Sequence, residues 1–294
     1  MNRIELMETV REYQVGTISR RQFLTKSTAV LGSLAAANTL LAACNAFPNE
    51  DPPPVVDAAG DTAVTTTQAD LTSQIVTYPG AEQELMGYLT YQTGDTPRPV
   101  IIVIQEWWGL NDHIKDIADR FAKEGYVALA PDLYHGVVTT EPDEARKQVM
   151  ELGMRDAVGE LQSAIDYLKG QDFVNGRFGA TGYCMGGGLV FELAATSPDL
   201  LAAIPYYGTP VSEDEAQNIS APVLSFLGTN DGIPAQIYEA VHAVLDENGV
   251  ENKFQLYDGA RHAFFNDTRP SYDETSATDS WDQSLAWFES HLAS

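Results

Sequence analysis

The segment from Gly179 to Gly188 (GATGYCMGGG) constrains the fold of this chain more than any other. It joins a short apolar run to an apolar, helix-like run through a tight turn rich in glycine. Cys184 lies at this turn, with Gly182 two residues before it and Gly186 two residues after it. That spacing lets a strand and a helix approach each other closely, and the helix N-terminus would favour a thiolate. The segment therefore indicates a candidate nucleophile, although a buried cysteine at an ordinary strand–helix junction has the same pattern.

Apolar strands and amphipathic helices alternate along the rest of the chain. Residues 100–104 form a continuous apolar run, which is typical of a strand buried on both faces of a parallel sheet. Residues 73–78 and 85–91 predict an antiparallel hairpin at the edge of the sheet. Further strands are predicted at residues 126–130, 178–183, 202–207, 222–227 and 253–257, and helices after Asn111 or Asp112, after Pro142, at 237–245 and at 281–292. The alternation predicts an α/β fold: one mostly parallel, doubly wound sheet with helices on both faces.

The charge balance excludes one class of partner. The chain has 17 basic and 42 acidic residues and a formal net charge of −25. Such a chain cannot neutralise a phosphate backbone, so no nucleic acid is expected to bind. The histidines and cysteines do not have the spacing of metal ligands, so neither a metal nor another cofactor is expected.

The first 43 residues resemble a targeting segment. Ser19 to Lys26 (SRRQFLTK) is similar to a twin-arginine export signal, and the apolar stretch after it is too short for a stable membrane span. Leu41 to Cys44 (LAAC) resembles a bacterial lipobox, which implies that Cys44 is lipidated and becomes the mature N-terminus. We therefore expect export by the twin-arginine route and lipid anchoring in the cell envelope. The alternative is an N-terminal helix of the folded domain.

A flexible tether is predicted between this segment and the folded part. Residues 44–70 contain Pro48, the Pro52–Pro54 run and many small residues, and they show no helical or alternating period. The folded domain is therefore expected over residues 71–294.

A thiol nucleophile needs a base, and the base needs a group that orients it. His262 lies just beyond the last predicted strand, where reactive groups collect in open parallel sheets. Asp231, which follows another buried strand, is the best candidate for the orienting acid, although an Asx-turn or a helix cap would explain it too. The other histidines are expected to be structural or solvated (His113, His242 and His291) or, for His135, at most to line a site.

Glu106 is a further candidate, because it ends the first buried strand in the segment QEWWG. A carboxylate buried without a partner is costly, so its position there is a poor choice for stability alone. A solvated charge at the strand end is the alternative.

These residues together resemble the dienelactone hydrolase family over about residues 71–292. The matching segments are residues 105–110, 130–134, 182–187 and 259–264, with Asp231 between the last two. The resemblance implies an α/β-hydrolase fold, a Cys184–Asp231–His262 triad and a gating role for Glu106 beside the thiol. It also implies an oxyanion hole made by the backbone N–H groups of Trp107 and Met185, and hydrolysis of an ester or lactone through a thioester.

The chain departs from the family in its substrate-binding arginines. Dienelactone-cleaving members hold the substrate carboxylate with two arginines, and one of these positions falls here on Phe265 and Asn266. Arg146, Lys147 or Arg261 could take over that role. Trp107, Trp108, Phe264 and Phe265 are expected to make the pocket mouth apolar, so neutral substrates are predicted.

Two other function classes stay open beside the small-molecule hydrolase, which is expected to be a monomer. One is a surface-displayed binding protein on an inactive hydrolase scaffold. The other is a thiol redox or sensing role for Cys184, for which a lipidated Cys44 would leave no resolving cysteine.

Overall fold

The computed structural model describes Gln22, Thr25, Lys26, residues 71–94 and residues 96–293. The chain divides into two units, Met1–Glu50 and Asp51–Ser294. In the first unit, Gln22, Thr25 and Lys26 are helical and exposed. The expected export signal, lipidated Cys44 and tether (residues 1–70) otherwise lie outside the described residues. No helix in the described part of the chain is both long enough and apolar enough to cross a membrane.

The second unit contains one eight-stranded sheet in the order β1-β2-β4-β3-β5-β6-β7-β8. β1 and β2 form the predicted antiparallel hairpin, β2 also pairs antiparallel with β4, and the remaining neighbours are parallel. The strands are β1 Leu71–Pro79, β2 Glu84–Gln92, β3 Arg98–Ile104, β4 Val127–Pro131, β5 Val174–Tyr183, β6 Leu200–Tyr206, β7 Val223–Asn230 and β8 Asn252–Arg261. The predicted α/β class with a mostly parallel sheet is confirmed.

Seven helices are present among the described residues of the second unit. They are α1 Asp112–Lys123, α2 Pro142–Leu152, α3 Met154–Lys169, α4 Met185–Thr196, α5 Glu213–Ala216, α6 Ala235–Glu247 and α7 Glu274–Leu292. Asn111 is the N-cap of α1, since its side chain accepts from the N–H of Ile114 at 3.2 Å. The single-turn helix α5 was not predicted, because a helix this short has no hydrophobic period to detect.

The closing helix α7 packs differently from the prediction. The helix predicted at residues 281–292 places Trp281 and Leu285 on its apolar stripe, but both are only partly buried, while Ser280 and Ser284 are fully buried. The small serines let α7 approach β6, where the Tyr206 hydroxyl lies 2.8 Å from the Ser284 hydroxyl and 3.1 Å from the Ser280 carbonyl. Hydrogen bonding of a buried tyrosine therefore favours serine at position 284, whereas position 280 contributes its backbone carbonyl.

The order of the strands contains one topological switch point, which lies at β3. β3 has β4 on one side and β5 on the other, so the chain reverses its direction of winding between these strands. A crevice opens outside the carboxyl ends of the strands at such a switch point, and ligands of open α/β sheets bind there. β3 ends directly before Gln105 and Glu106, and β5 ends directly before Cys184.

Candidate active site

Cys184 has the strained backbone that a sharp strand–helix turn imposes. Its φ is 55° and its ψ is −115°, an uncommon conformation for a residue other than glycine. Its N–H donates to the Tyr206 carbonyl at 3.1 Å, which ties the turn to β6. Because the surrounding structure holds this strained conformation, the thiol projects from the apex of the turn.

Gly182 and Gly186, two residues before and after Cys184, are required because neighbouring backbone atoms approach them too closely for a side chain. A Cβ at Gly182 would lie 2.4 Å from the Gly186 carbonyl oxygen, and one at Gly186 would lie 2.4 Å from the Ile104 carbonyl oxygen. Neither distance is tolerated between real atoms, so the start of α4 packs directly on the end of β3. The G-x-C-x-G spacing is therefore a consequence of this packing, as predicted.

His262 and Asp231 meet at the carboxyl ends of β8 and β7. The Nδ1 atom of His262 lies 3.0 Å from the Asp231 carboxylate, and both side chains are buried. β8 continues through Arg261, so His262 follows the strand directly. The strand predicted at residues 253–257 was too short, because the ladder with β7 continues as far as the Asn230–Arg261 pair despite Gly259.

The Cys184 thiol reaches the same histidine. Cys184 interacts with His262, and since Nδ1 faces Asp231, Nε2 is the nitrogen on the side of the ring away from the carboxylate. Burial lowers the pKa of His262, but the charge of Asp231 and then that of Cys184 outweigh it, so the pKa lies well above its usual value. The arrangement favours an imidazolium between a carboxylate and a thiolate.

Glu106 is buried, with 2 % of its surface exposed, and its carboxylate has a partner. The Asn266 side-chain amide donates to Glu106 Oε2 at 2.8 Å. The expectation that this carboxylate is not a solvated charge is therefore confirmed. Asn266 lies four residues beyond His262, at one of the positions where the expected arginine is missing.

The two expected backbone donors also lie at this edge of the sheet. Trp107 follows β3 by three residues, and Met185 is the first residue of α4. The N–H groups of a helix's first turn have no acceptor within the helix, so that of Met185, next to Cys184, can donate to an oxyanion formed at the thiol. Trp107 and Trp108 are both buried, with their rings 4.7 Å apart.

Two tyrosines at this site were missed by sequence reasoning. The Tyr134 hydroxyl donates to the sulfur of Met185 at 3.3 Å, and its pKa is raised by burial and by the charge of Cys184. The Tyr207 ring packs 5.1 Å from His262, and the residue has a φ of 35°. The one available signal was the position of each after a buried strand, and tyrosines are common there for packing alone.

The four aromatic residues expected at the pocket mouth are all buried, Trp107 and Trp108 included. Phe264 and Phe265 are buried, and both pack against Tyr206, at 6.3 and 5.1 Å between ring centroids. They therefore belong to the core, because the backbone folds them inward immediately after His262. Val137 and Val138 supply exposed apolar surface, since Thr139 donates to the Trp108 carbonyl and holds this loop beside the tryptophans.

The basic residues proposed for substrate binding are paired elsewhere. Arg146 bonds to Asp143 at 2.6 Å, Lys147 to Glu144 at 3.3 Å, and Arg261 to the Pro270 carbonyl. Another basic residue, Arg269, stacks on the Trp108 ring at 4.2 Å.

The remaining histidines have partners of their own. His113 faces Asp267, His135 faces Glu160, His242 bonds to Ser225 and Asn252, and His291 faces Glu251. None of these partners belongs to the Cys184–His262–Asp231 cluster, which agrees with the expected structural or solvated roles.

Comparison with known proteins identifies the relatives of this chain. The profile of the "Dienelactone hydrolase family" matches residues 85–292. The "Protein usf" of Aquifex pyrophilus is 35% identical over 74% of this chain and 99% of that protein. A Yersinia pestis protein named "Putative carboxymethylenebutenolidase" is 33% identical over 73% of this chain and 87% of its own length. The crystal structure titled "Putative Dienelactone Hydrolase" from Klebsiella pneumoniae has a TM-score of 0.70 at 30% identity, covering 74% of this chain and 98% of that one.

Proposed function

Because the chain belongs to the dienelactone hydrolase family, we propose that it hydrolyses small neutral esters or lactones with Cys184 as nucleophile. Membership of this family makes the chain a carboxylic ester or lactone hydrolase. The observation that carries the proposed mechanism is the 3.0 Å contact of the buried His262 with Asp231, together with the interaction by which Cys184 raises the pKa of the same histidine. A binding protein on an inactive scaffold would have no need to keep these three groups together.

The proposed reaction has two steps. The Cys184 thiolate attacks the carbonyl carbon, the S–C bond forms, and the N–H groups of Trp107 and Met185 stabilise the oxyanion. The alcohol leaves with a proton from His262 Nε2, so a thioester remains. Water then attacks the thioester and gives a proton to His262, the S–C bond breaks, and the carboxylic acid and the thiolate are released.

The charges around the site support neutral substrates. The net charge of −25 repels anions at a distance, and Arg146, Lys147 and Arg261 each have another partner. Exposed Val137 and Val138 favour an apolar substrate. Arg269 on Trp108 is the residue that could reverse this preference locally.

We expect a neutral nitrophenyl ester to be turned over faster than its analogue with a carboxylate on the acyl chain, because the field of the protein slows the approach of the anion. The measurement is kcat/KM for both esters at low and high salt, since salt screens this repulsion. Alkylation of the thiol should abolish both activities. Full activity after alkylation would contradict the proposed nucleophile. A preference for the anionic ester at low salt that Arg269→Ala removes would contradict the proposed substrate class.

Export and anchoring form the second part of the proposal. The segment SRRQFLTK and the segment LAAC that ends at Cys44 support a lipoprotein exported by the twin-arginine route and held in the cell envelope. Several acyl chains hold a protein stably on a membrane where one chain does not.

Cys44→Ala is expected to release the protein from membranes, because it removes the atom that carries the lipid. Arg20→Lys together with Arg21→Lys is expected to retain the protein in the cytoplasm. The measurement is fractionation of cells followed by sedimentation of membranes without detergent. Cys184→Ala is the matched control, since it replaces the other cysteine and should leave the distribution unchanged. A Cys44→Ala protein that still sediments with membranes would refute the anchor.

A further inference from the structure

The Asn266 side chain lies between Glu106 and Thr268, which together determine the orientation of its amide group. Its Oδ1 atom accepts from the Thr268 N–H at 3.0 Å and from the Thr268 hydroxyl at 2.6 Å. A backbone N–H can only donate, so the amide oxygen must face Thr268 and the NH₂ group must face Glu106. Asn266 is 1 % exposed, so water does not compete for these bonds.

The segment that carries Asn266 is anchored on α1. The neighbouring Asp267 pairs with Arg120 at 2.9 Å and faces His113 at 3.5 Å. The contact with His113, followed by that with Arg120, holds the pKa of Asp267 below its usual value, against the effect of burial. Backbone bonds from Asn266 to the Ala263 carbonyl and from Arg269 to the Asn266 carbonyl complete a compact turn. Asn266 is therefore held rigidly between His262 and α1.

From this geometry we propose that Asn266 is the positioning residue that fixes the orientation of the Glu106 carboxylate for activation of the Cys184 thiol. The inference rests on the proposed function, because it assigns Glu106 a role in thiol activation. An amide N–H donated to a carboxylate favours its charged form and fixes one of its oxygens. In molecules whose thiol still carries its proton and is not paired with His262 as a thiolate, the other oxygen can accept that proton, so the S–H bond breaks and a thiolate and a neutral carboxylic acid remain.

Asn266, which stands where the dienelactone-cleaving relatives are expected to have an arginine, would thus have a function in the free enzyme. An arginine at this position would carry a charge that a substrate carboxylate and Glu106 could both attract. Asn266 carries none, so its bond to Glu106 does not depend on whether the substrate is charged. This agrees with the proposed preference for neutral substrates.

Several other ionisable groups surround Glu106. Tyr183 and Tyr207 feel its charge, and burial raises the pKa of both well above the usual value, so they are neutral at physiological pH. The charge of Cys184 also acts on Tyr207, the His262 ring packs against it, and Arg269 lies on the Trp108 ring. The Asn266 amide donates directly to the Glu106 carboxylate, at 2.8 Å.

The test is the pH dependence of Cys184 alkylation by iodoacetamide in the full chain. Asn266→Ala removes the donor and should slow alkylation at neutral pH by roughly 10- to 100-fold. Asn266→Asp keeps the shape but places two carboxylates together, so it should move the alkylation midpoint upward by about one pH unit or more. Asn218→Ala, at an exposed asparagine, is the matched control and should leave the profile unchanged.

A double-mutant cycle separates positioning from a merely structural role. If Asn266 acts through Glu106, then Asn266→Ala should slow alkylation no further in a Glu106→Gln background. Thermal unfolding of each variant shows whether the fold is kept. Wild-type alkylation profiles in folded Asn266 variants, or additive effects in the cycle, would overturn the inference. Either result would leave the proposed function intact as long as Cys184→Ala is inactive, so the two failures are distinguishable.

Discussion

Replacing Cys184 with alanine is expected to abolish ester hydrolysis and leave the fold intact. The change removes the atom that attacks the carbonyl, and loss of a nucleophile of this kind reduces kcat by roughly 10⁴-fold or more. Alanine has the same Cβ and therefore tolerates the φ of 55° as well as cysteine does. The lost thiol contributes little packing, so the free energy of unfolding should fall by about 1 kcal/mol or less. The measurements are kcat/KM for a neutral nitrophenyl ester and thermal unfolding of both proteins.

Cys184→Ser is the companion variant for this prediction. It keeps a potential nucleophile of nearly the same size but with a much higher pKa, so His262 would have to remove its proton during attack. Its activity should lie far below that of the wild type and above that of Cys184→Ala. An alanine variant that retains more than a trace of activity would show that Cys184 is not the nucleophile.

The second large effect is expected at His262 and Asp231. His262→Ala removes the group that pairs with the thiolate and protonates the leaving alcohol, so it should cost on the order of 10⁴-fold in kcat. Asp231→Asn should cost one or two orders of magnitude less, because the carboxylate acts only through the histidine. His242→Gln is a suitable control, because His242 is also buried and hydrogen-bonded but pairs with Ser225 and Asn252. An Asp231→Asn variant with wild-type kcat would contradict the role of Asp231.

Asp231→Asn should also change the pH dependence in a defined direction. Asp231 is the foremost cause that raises the pKa of His262, so its loss lowers this pKa and reduces the thiolate–imidazolium population. The stability that the raised pKa contributes is fully present below the unfolded value of about 6.5 and is lost as the pH rises through the folded value. The variant should therefore lose most stability at mildly acidic pH and least at high pH. The measurement is the free energy of unfolding of both proteins across this pH range. A loss of stability that is independent of pH would refute the proposed ion pair.

Much of the fold and the chain order of the site follow from local sequence. Residues 100–104 predicted a buried strand because a strand covered on both faces needs continuous apolar side chains, and β3 is buried in this way. The spacing of Gly182, Cys184 and Gly186 predicted the turn because only glycine fits where α4 meets β3. His262 and Asp231 were found because each follows a strand, and the carboxyl ends of parallel strands lie at one edge. These signals are short-range, so no knowledge of the tertiary structure was needed to read them.

The tertiary structure alone decided how the side chains of the site meet. Asn266 and Glu106 are 160 residues apart in the chain, and their bond depends on how the turn after His262 packs against α1. The burial of Phe265 and the contact of Tyr134 with Met185 likewise depend on packing between distant elements. Hydrophobic period and turn chemistry specify which elements form, whereas the partner of a buried polar group is selected by which donor can reach it in three dimensions. The sequence by itself therefore determined the α/β class and the position of Cys184, and the packed structure determined which groups surround the thiol.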